Sequence, residues 1–304
     1  MSRPAVVWEG VKRRFGRTVA LAGLDLAVEP GTVMGLIGRN GAGKTTALRL
    51  AHGILFPDAG RIRVLGLDPV NDGLEVRSRV SLLTEESSLY PWMTVHEILR
   101  FGAGLHPHWD RDLADGLAKR LDLETSARIS TLSRGTRAKV ALVLAVACRP
   151  RLLLLDDPTA GLDPLVRREV LEGVLEAVPS EGGAVVYASH LVHDVERVAD
   201  HVAVLDRGHL RLHGALEGIK DRIRKVTAVF EDGAPGGLSL PGTIDSRAEG
   251  RVLTVVAEGV NGDLDHSLRS LGAREVEVEP ISLEEILVAC LRQGGDRESE
   301  VEHA

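Results

Sequence analysis

The segment Gly38-Arg39-Asn40-Gly41-Ala42-Gly43-Lys44-Thr45-Thr46 constrains this chain more than any other. It satisfies G-x-x-x-x-G-K-[ST] at every fixed position. An apolar run, Val33-Met34-Gly35-Leu36-Ile37, precedes it and predicts a buried strand. Ala47-Leu48-Arg49-Leu50 follows and predicts the opening of a helix. Glycines let a backbone wrap an anion without Cβ clashes. Successive N–H groups then point inward, and the helix N-terminus adds positive potential. In this reading Lys44 reaches the β- and γ-phosphates of a nucleotide, and the Thr45 hydroxyl ligates Mg²⁺. The competing reading of the same residues is an ordinary glycine-rich turn.

The rest of the chain alternates as such a loop requires. Residues 1 to about 82 are short apolar strands separated by glycine turns. Residues 94–148 read as mostly helical. Thr94-Val95-His96-Glu97 is a capping box ahead of Ile98 and Leu99, and Leu113, Leu117 and Leu121 recur at helical spacing. From Arg151 the order is strand (Leu152–Leu155), helix (Leu165–Val178), strand (Ala184–Ala188) and helix. Such alternation implies a parallel sheet covered on both faces. The helical block then reads as a subdomain, about 86–148, inserted between two halves of one α/β core.

Beyond about Lys220 the character changes. Val226–Phe230 and Val252–Ala257 predict strands, with the Gly-Pro-rich stretch Gly233–Gly242 between them. Glu275 to Glu279 alternates strictly, as a half-buried strand does. Ser282-Leu283-Glu284-Glu285 is a second capping box, with Ile281 and Ile286 placed as a staple. Leu283, Ile286, Leu287, Cys290 and Leu291 share one helical face. We therefore read residues 1–222 as the main domain and 223–304 as a small α+β appendage. Its polar, acidic tail from about Gly294 predicts disorder.

Composition narrows the partners. A chain of 304 residues with 44% hydrophobic residues builds a sizeable core. A net charge of −7 and 3% aromatics weigh against a nucleic-acid partner. Cys148 and Cys290 sit in apolar, helix-like surroundings, as buried thiols of a reducing cytosol do. Trp8, Glu9 and Lys12 break any early apolar run, so no signal peptide is expected. Val140–Ala147, the longest apolar stretch, is too short to span a bilayer. The expectation is a soluble protein that reaches a membrane only through another.

Three further segments carry chemistry. Asp156-Asp157 follows the strand Leu152–Leu155 directly. Asp156 is placed to hold Mg²⁺, and Asp157 to orient or deprotonate an attacking water; a capping pair before Pro158 is the alternative. Leu132-Ser133-Arg134-Gly135-Thr136 opens a helix with Ser133 at its N-cap. It offers an anion site, or plain capping. His190 follows the strand Ala184–Ala188, and alone would read as structural or solvated.

Taken together, residues 5–215 resemble the ATP-binding cassette (ABC) ATPases, with these segments in the family's order and at its distances. Leu132–Thr136 is similar to the family signature, Ala160-Gly161-Leu162-Asp163 to its D-loop, and His190 to its switch histidine. Phe15 stands where the family stacks an aromatic on adenine, and Thr84-Glu85 where its Q-loop lies. Leu89 to Val95 is similar to the bacterial exporter branch, where the segment contacts a membrane partner.

The resemblance implies an α/β P-loop core with a helical signature subdomain, binding ATP and Mg²⁺. Gly38 to Thr46 and Phe15 would hold the nucleotide, Thr45, Glu85 and Asp156 the metal. Asp157, His190 and Glu85 would serve hydrolysis. It further implies a head-to-tail dimer in which Ser133 and Gly135 of one subunit close on the nucleotide of the other. The second subunit is a copy or a relative, and the pair works with an integral membrane permease on the inner face of the cell membrane. Asp157 stands where the family has Glu, Glu85 where it has Gln, and Arg134 and Thr136 where it has Gly and Gln. These departures predict slow hydrolysis rather than weak ATP binding. A soluble, non-transport ABC ATPase and a largely non-hydrolytic regulatory module are the alternatives.

Overall fold

The computed structural model describes residues 3–85, 89–177, 182–236, 242–259 and 262–301. The chain divides into two compact units, Met1–Leu210 and Arg211–Ala304. In the first, β1 (Val6–Phe15) and β2 (Thr18–Val28) form an antiparallel hairpin. β3 (Val33–Ile37) leads through the glycine loop into α1 (Lys44–Ala51), and β4 (Ala59–Val64) returns to pair with β1. α2 (Gly73–Arg79) feeds β5 (Val80–Thr84). The helical segment follows: α3 (Val95–Leu105), α4 (Arg111–Arg120), a 3-10 turn at Ile129–Thr131, and α5 (Arg134–Ala147). The chain then continues through β6 (Leu152–Asp156), α6 (Pro164–Ala177), β7 (Ala184–Ser189), α7 (Val192–Glu196), β8 (His201–Asp206) and β9 (His209–Ala215).

The main sheet has the order β5-β6-β7-β3-β8-β9, and β5 to β8 pair in parallel. Every residue of β3, β6 and β7 is buried, as continuous apolar runs in a parallel sheet require. Leu36, Leu48, Leu154, Val186 and Leu205 meet in one core with Trp8 of the hairpin. The helical segment leaves after β5 and re-enters at β6, its neighbour, so that Thr84 lies opposite Asp156. α3 starts at the predicted capping box: Glu97 N–H donates to Thr94 Oγ1, and the Glu97 carboxylate accepts from Thr94 N–H.

The second unit contains α8 (Leu216–Arg222), β10 (Ile223–Phe230), β11 (Thr243–Glu249), β12 (Val252–Glu258), α9 (Gly262–Ser270), β13 (Ala273–Pro280) and α10 (Leu283–Val301). Its four strands form an antiparallel sheet in the order β11-β12-β10-β13. Val226, Phe230, Leu253 and Val255 from the strands pack with Leu264 and Leu268 of α9.

Sequence reasoning did not foresee β11 or α9. β11 carries one large apolar residue, Ile244, and α9 only Leu264 and Leu268, too few for a periodic signal. α10 runs to Val301, past Gly294, where composition predicts disorder. Residues 86–88 at the predicted start of the helical subdomain, Val178, residues 237–241 of the Gly-Pro stretch and residues 302–304 lie outside the described residues.

Candidate active site

Gly38 follows the last residue of β3, and a Cβ there would sit 2.2 Å from the Leu205 carbonyl oxygen of β8. At Gly43, with φ 107°, a Cβ would sit 2.4 Å from the Ala20 carbonyl oxygen of β2. The loop is thus wedged between backbones on both sides, and only glycine fits at these two positions. Gly41, Arg39 and Asn40 are exposed along it, while Ala42 is buried and its carbonyl accepts from Gly208 N–H at 3.0 Å. Lys44 opens α1 and is 5% exposed. Its ammonium donates to the carbonyls of Gly38 at 2.8 Å and Arg39 at 3.2 Å, curling the loop around itself. Burial lowers its pKa from the ordinary lysine value, against the opposing charges of Asp157 and Asp156. Thr45 and Thr46 follow in the first turn of α1.

Thr45 Oγ1 donates to Asp156 Oδ1 at 2.9 Å. Asp156 ends β6 and is 6% exposed. Burial raises its pKa and Asp157 raises it further; the Thr45 hydroxyl, Arg49 and Lys44 pull it back. A hydroxyl and a carboxylate side by side are a hard-oxygen pair of the kind Mg²⁺ takes beside phosphate oxygens, so these residues fit that ion.

Asp157 leaves the strand in the left-handed region, φ 46°, its N–H donating to the Ala188 carbonyl of β7 at 2.9 Å. One carboxylate oxygen, Oδ1, accepts from Ser189 Oγ at 3.0 Å and from His190 N–H at 3.1 Å, and lies 2.9 Å from His190 Nδ1. A non-glycine residue in this conformation costs on the order of 1–3 kcal/mol and persists only where its surroundings fix it. Here the end of β7 supplies that fixation.

Lys44, Thr45, Asp156, Asp157 and His190 therefore converge at the carboxyl ends of β3, β6 and β7. Ligands of open α/β sheets bind at this edge, outside the carboxyl ends of the strands. Glu85 follows Thr84 at the same edge, and its carboxylate accepts from Arg134 Nη2 at 3.0 Å. Ser133 caps α5, its Oγ accepting from Thr136 N–H at 3.0 Å. At Gly135 a Cβ would press on Val166 at 3.1 Å. Phe15 ends β1, half exposed, with the Arg13 guanidinium 4.8 Å over its ring.

Sequence reasoning missed two supports of the acidic pair. Ser189 is one. The other is a buried network in which Thr159 Oγ1 donates to Asp194 Oδ2 at 2.7 Å and lies 3.0 Å from Tyr187 OH. The available signal was two polar residues, Tyr187 and Ser189, spaced by two in an otherwise apolar strand, which puts them on one face.

Residues 21–160 match the family described as ABC transporter. Over 298 aligned residues, 93% of each chain, the sequence is 34% identical to the daunorubicin resistance ATP-binding protein DrrA3 of Streptomyces coeruleorubidus. The chain belongs to the ABC transporter family. It is an ATP-binding protein of that family. It is also 28% identical, over 93% of its length and 92% of the relative's, to the uncharacterized ABC transporter ATP-binding protein YdbJ of Bacillus subtilis (strain 168). Among solved structures it resembles an ATP-binding subunit of an ABC transporter, with a TM-score of 0.65 and 26% identity, covering 71% of this chain and 92% of that one.

Proposed function

We propose that this ABC protein is the ATP-hydrolysing subunit of a bacterial exporter. In this reading two such subunits pair head to tail, as copies or as relatives, and drive a separate integral membrane permease from the inner face of the membrane. The observation that carries it is the convergence of Lys44, Thr45, Asp156, Asp157 and His190 at one sheet edge. A relative named Nod factor export ATP-binding protein I, from Paraburkholderia xenovorans (strain LB400), is 35% identical over 71% of this chain and 72% of its own length, and its name supports export. No helix among the described residues is long and apolar enough to cross a membrane, and the reading assigns the translocation path to the permease.

An exposed aromatic cluster supports a partner surface. Tyr90 lies 5.0 Å from Trp92 and 5.6 Å from Phe101, ring centre to ring centre, just before and within α3. Trp92 is 63% exposed and Phe101 and Tyr90 about 40%, so the three rings form one contiguous apolar patch rather than scattered surface residues. Nucleic acid is not an expected partner of a chain carrying −7.

In the catalytic step the glycine-loop amides and Lys44 bind and orient the β- and γ-phosphates of ATP. Thr45 and Asp156, with Glu85 nearby, would hold Mg²⁺, which would supply charge neutralisation at the phosphate oxygens. Asp157 orients the attacking water, and His190 holds Asp157 through Oδ1. The Asp157 carboxylate is one methylene shorter than a glutamate, and a misplacement of about 1 Å costs on the order of 100-fold. A nucleotide-binding regulatory module with little turnover is the second reading, favoured by the engagement of Oδ1 with Ser189 and His190.

The test is steady-state phosphate release by protein co-purified with its permease. Lys44→Ala should abolish it, Asp157→Glu should raise it, and Asp157→Asn should lower it. Light scattering of the Asp157→Asn variant should show a dimer with ATP and not with ADP. Equal rates for wild type and both Asp157 variants would remove Asp157 from the mechanism, and one unchanging mass would remove the dimer.

A further inference from the structure

Three carboxylates leave the same sheet edge: Asp156 and Asp157 after β6, and Glu85 after β5, with Thr84 opposite Asp156 in the parallel register. A nucleotide triphosphate brings several more negative charges to that edge. Two of the three carboxylates take partners from the other strands of the site: Asp156 accepts from Thr45 beyond β3, and Asp157 from Ser189 and His190 at the end of β7. Glu85 draws its partner from a distance of 49 residues, the Arg134 guanidinium at the start of α5.

Arg134 has a second neighbour. A Cβ at Gly161 would sit 2.6 Å from Arg134 Nη1 and 2.9 Å from its Cζ, so the guanidinium lies flat against the loop that follows Asp157. Gly161 admits it because glycine has no Cβ, and its φ of 67° is one that glycine adopts freely. One side chain therefore touches the exit of β5 and the loop beyond β6, from the helix capped by Ser133. Both members of the ion pair are at least half exposed, at 58% and 50%. Such a pair adds little to fold stability, and it exchanges readily when another charge arrives.

We propose that Arg134 is a positioning residue of its own subunit's ATP site. It holds the Glu85 carboxylate aside and offsets its charge, so that the triphosphate is not repelled. The proposal rests on the ABC reading of the site. It makes the two residues interdependent: Arg134 matters to nucleotide binding only while Glu85 is present. Repulsion between Glu85 and the phosphates is long-ranged and screened by salt, so the dependence should fade at high ionic strength.

The experiment is a double-mutant cycle on the full chain, read as equilibrium binding of a fluorescent ATP analogue, with Mg²⁺ and in EDTA. Arg134→Ala should weaken binding about two- to five-fold, the range an exposed ion pair carries. Arg134→Gln should do the same, since it keeps the polar stem and loses the charge. In the Glu85→Gln background neither change should matter. The loss should be larger in EDTA, where the phosphates carry more uncompensated charge, and should shrink in high salt. Thermal stability without nucleotide should scarcely move, which separates positioning from a structural role. An equal loss in both backgrounds, or none in either, would overturn the proposal. Lys44→Ala serves as the control: retained binding in that variant would overturn the ATP site itself, whereas its loss beside an additive cycle would overturn only the role of Arg134.

Discussion

Thr159→Val is the most demanding test of how the acidic pair is held. Thr159 is fully buried two residues beyond Asp157, Asp194 is 1% exposed, and Tyr187 is fully buried. Valine matches threonine in shape, so the change removes a hydroxyl and leaves no cavity. It takes from Asp194 Oδ2 a donor at 2.7 Å, and from Tyr187 OH a partner at 3.0 Å. Arg167 remains near that carboxylate oxygen at 3.6 Å, so Asp194 keeps part of its compensation. A hydrogen bond to a charged group contributes about 1.5–3 kcal/mol, and a buried group left unpaired costs about 1–3 kcal/mol. The expected destabilisation is therefore about 3 kcal/mol. Trp8, Trp92 and Trp109 all lie in residues 1–210, so tryptophan emission follows the unfolding of that unit. Its urea midpoint should fall by about 1–3 M at an unchanged slope. Tyr187→Phe, which removes only the weaker partner, should cost about 1 kcal/mol. A shift below about 0.3 M for Thr159→Val would refute the claim that the network fixes the loop.

Two further outcomes follow from burial. Asp156 has a raised pKa because burial disfavours its charge, so the wild-type protein without nucleotide loses stability as pH rises through that value. Asp156→Asn still accepts from Thr45 and carries no charge: without nucleotide it should melt above wild type at neutral pH, and the gap should close as pH falls below the Asp156 pKa; a melting curve at several pH values checks this. Burial also pushes the thiols of Cys148 and Cys290 up to about 11. Neither should react with a disulfide reagent at about pH 8 until the chain is unfolded in denaturant, because the thiolate is the nucleophile.

The parts legible in the sequence are those in which one local rule suffices. The glycine loop, the runs Leu152–Leu155 and Ala184–Ala188, and both capping boxes each carry their own signal within a few residues. Asp156 was placed by its strand alone, and the Thr45 hydrogen bond follows from where β3 and β6 sit in the sheet. What stayed hidden depends on partners remote in the chain. β11 is mostly polar and owes its place to β12, not to its own residues. The Thr159–Tyr187–Asp194 network joins three segments, and of the three residues only Tyr187, polar in an apolar strand, stands out where it is. The contact of Arg134 with Glu85 likewise spans the whole helical segment, and only its charge was a clue.

β3 has a consequence for how the protein is made. It is flanked on one side by β7, where Val33 meets Val185, 152 positions later, and on the other by β8, where Met34 meets His201, 167 positions later. At about 5–20 residues per second, the ribosome needs roughly 10–30 s to supply those neighbours. Throughout that interval Val33-Met34-Gly35-Leu36-Ile37 is an apolar strand with both edges unpaired, the kind of segment that aggregates if it meets its like. The nucleotide loop is among the first parts of this protein to be synthesised, yet both strands that flank β3 emerge only after Gly183, so the nascent chain acquires its ATP site late.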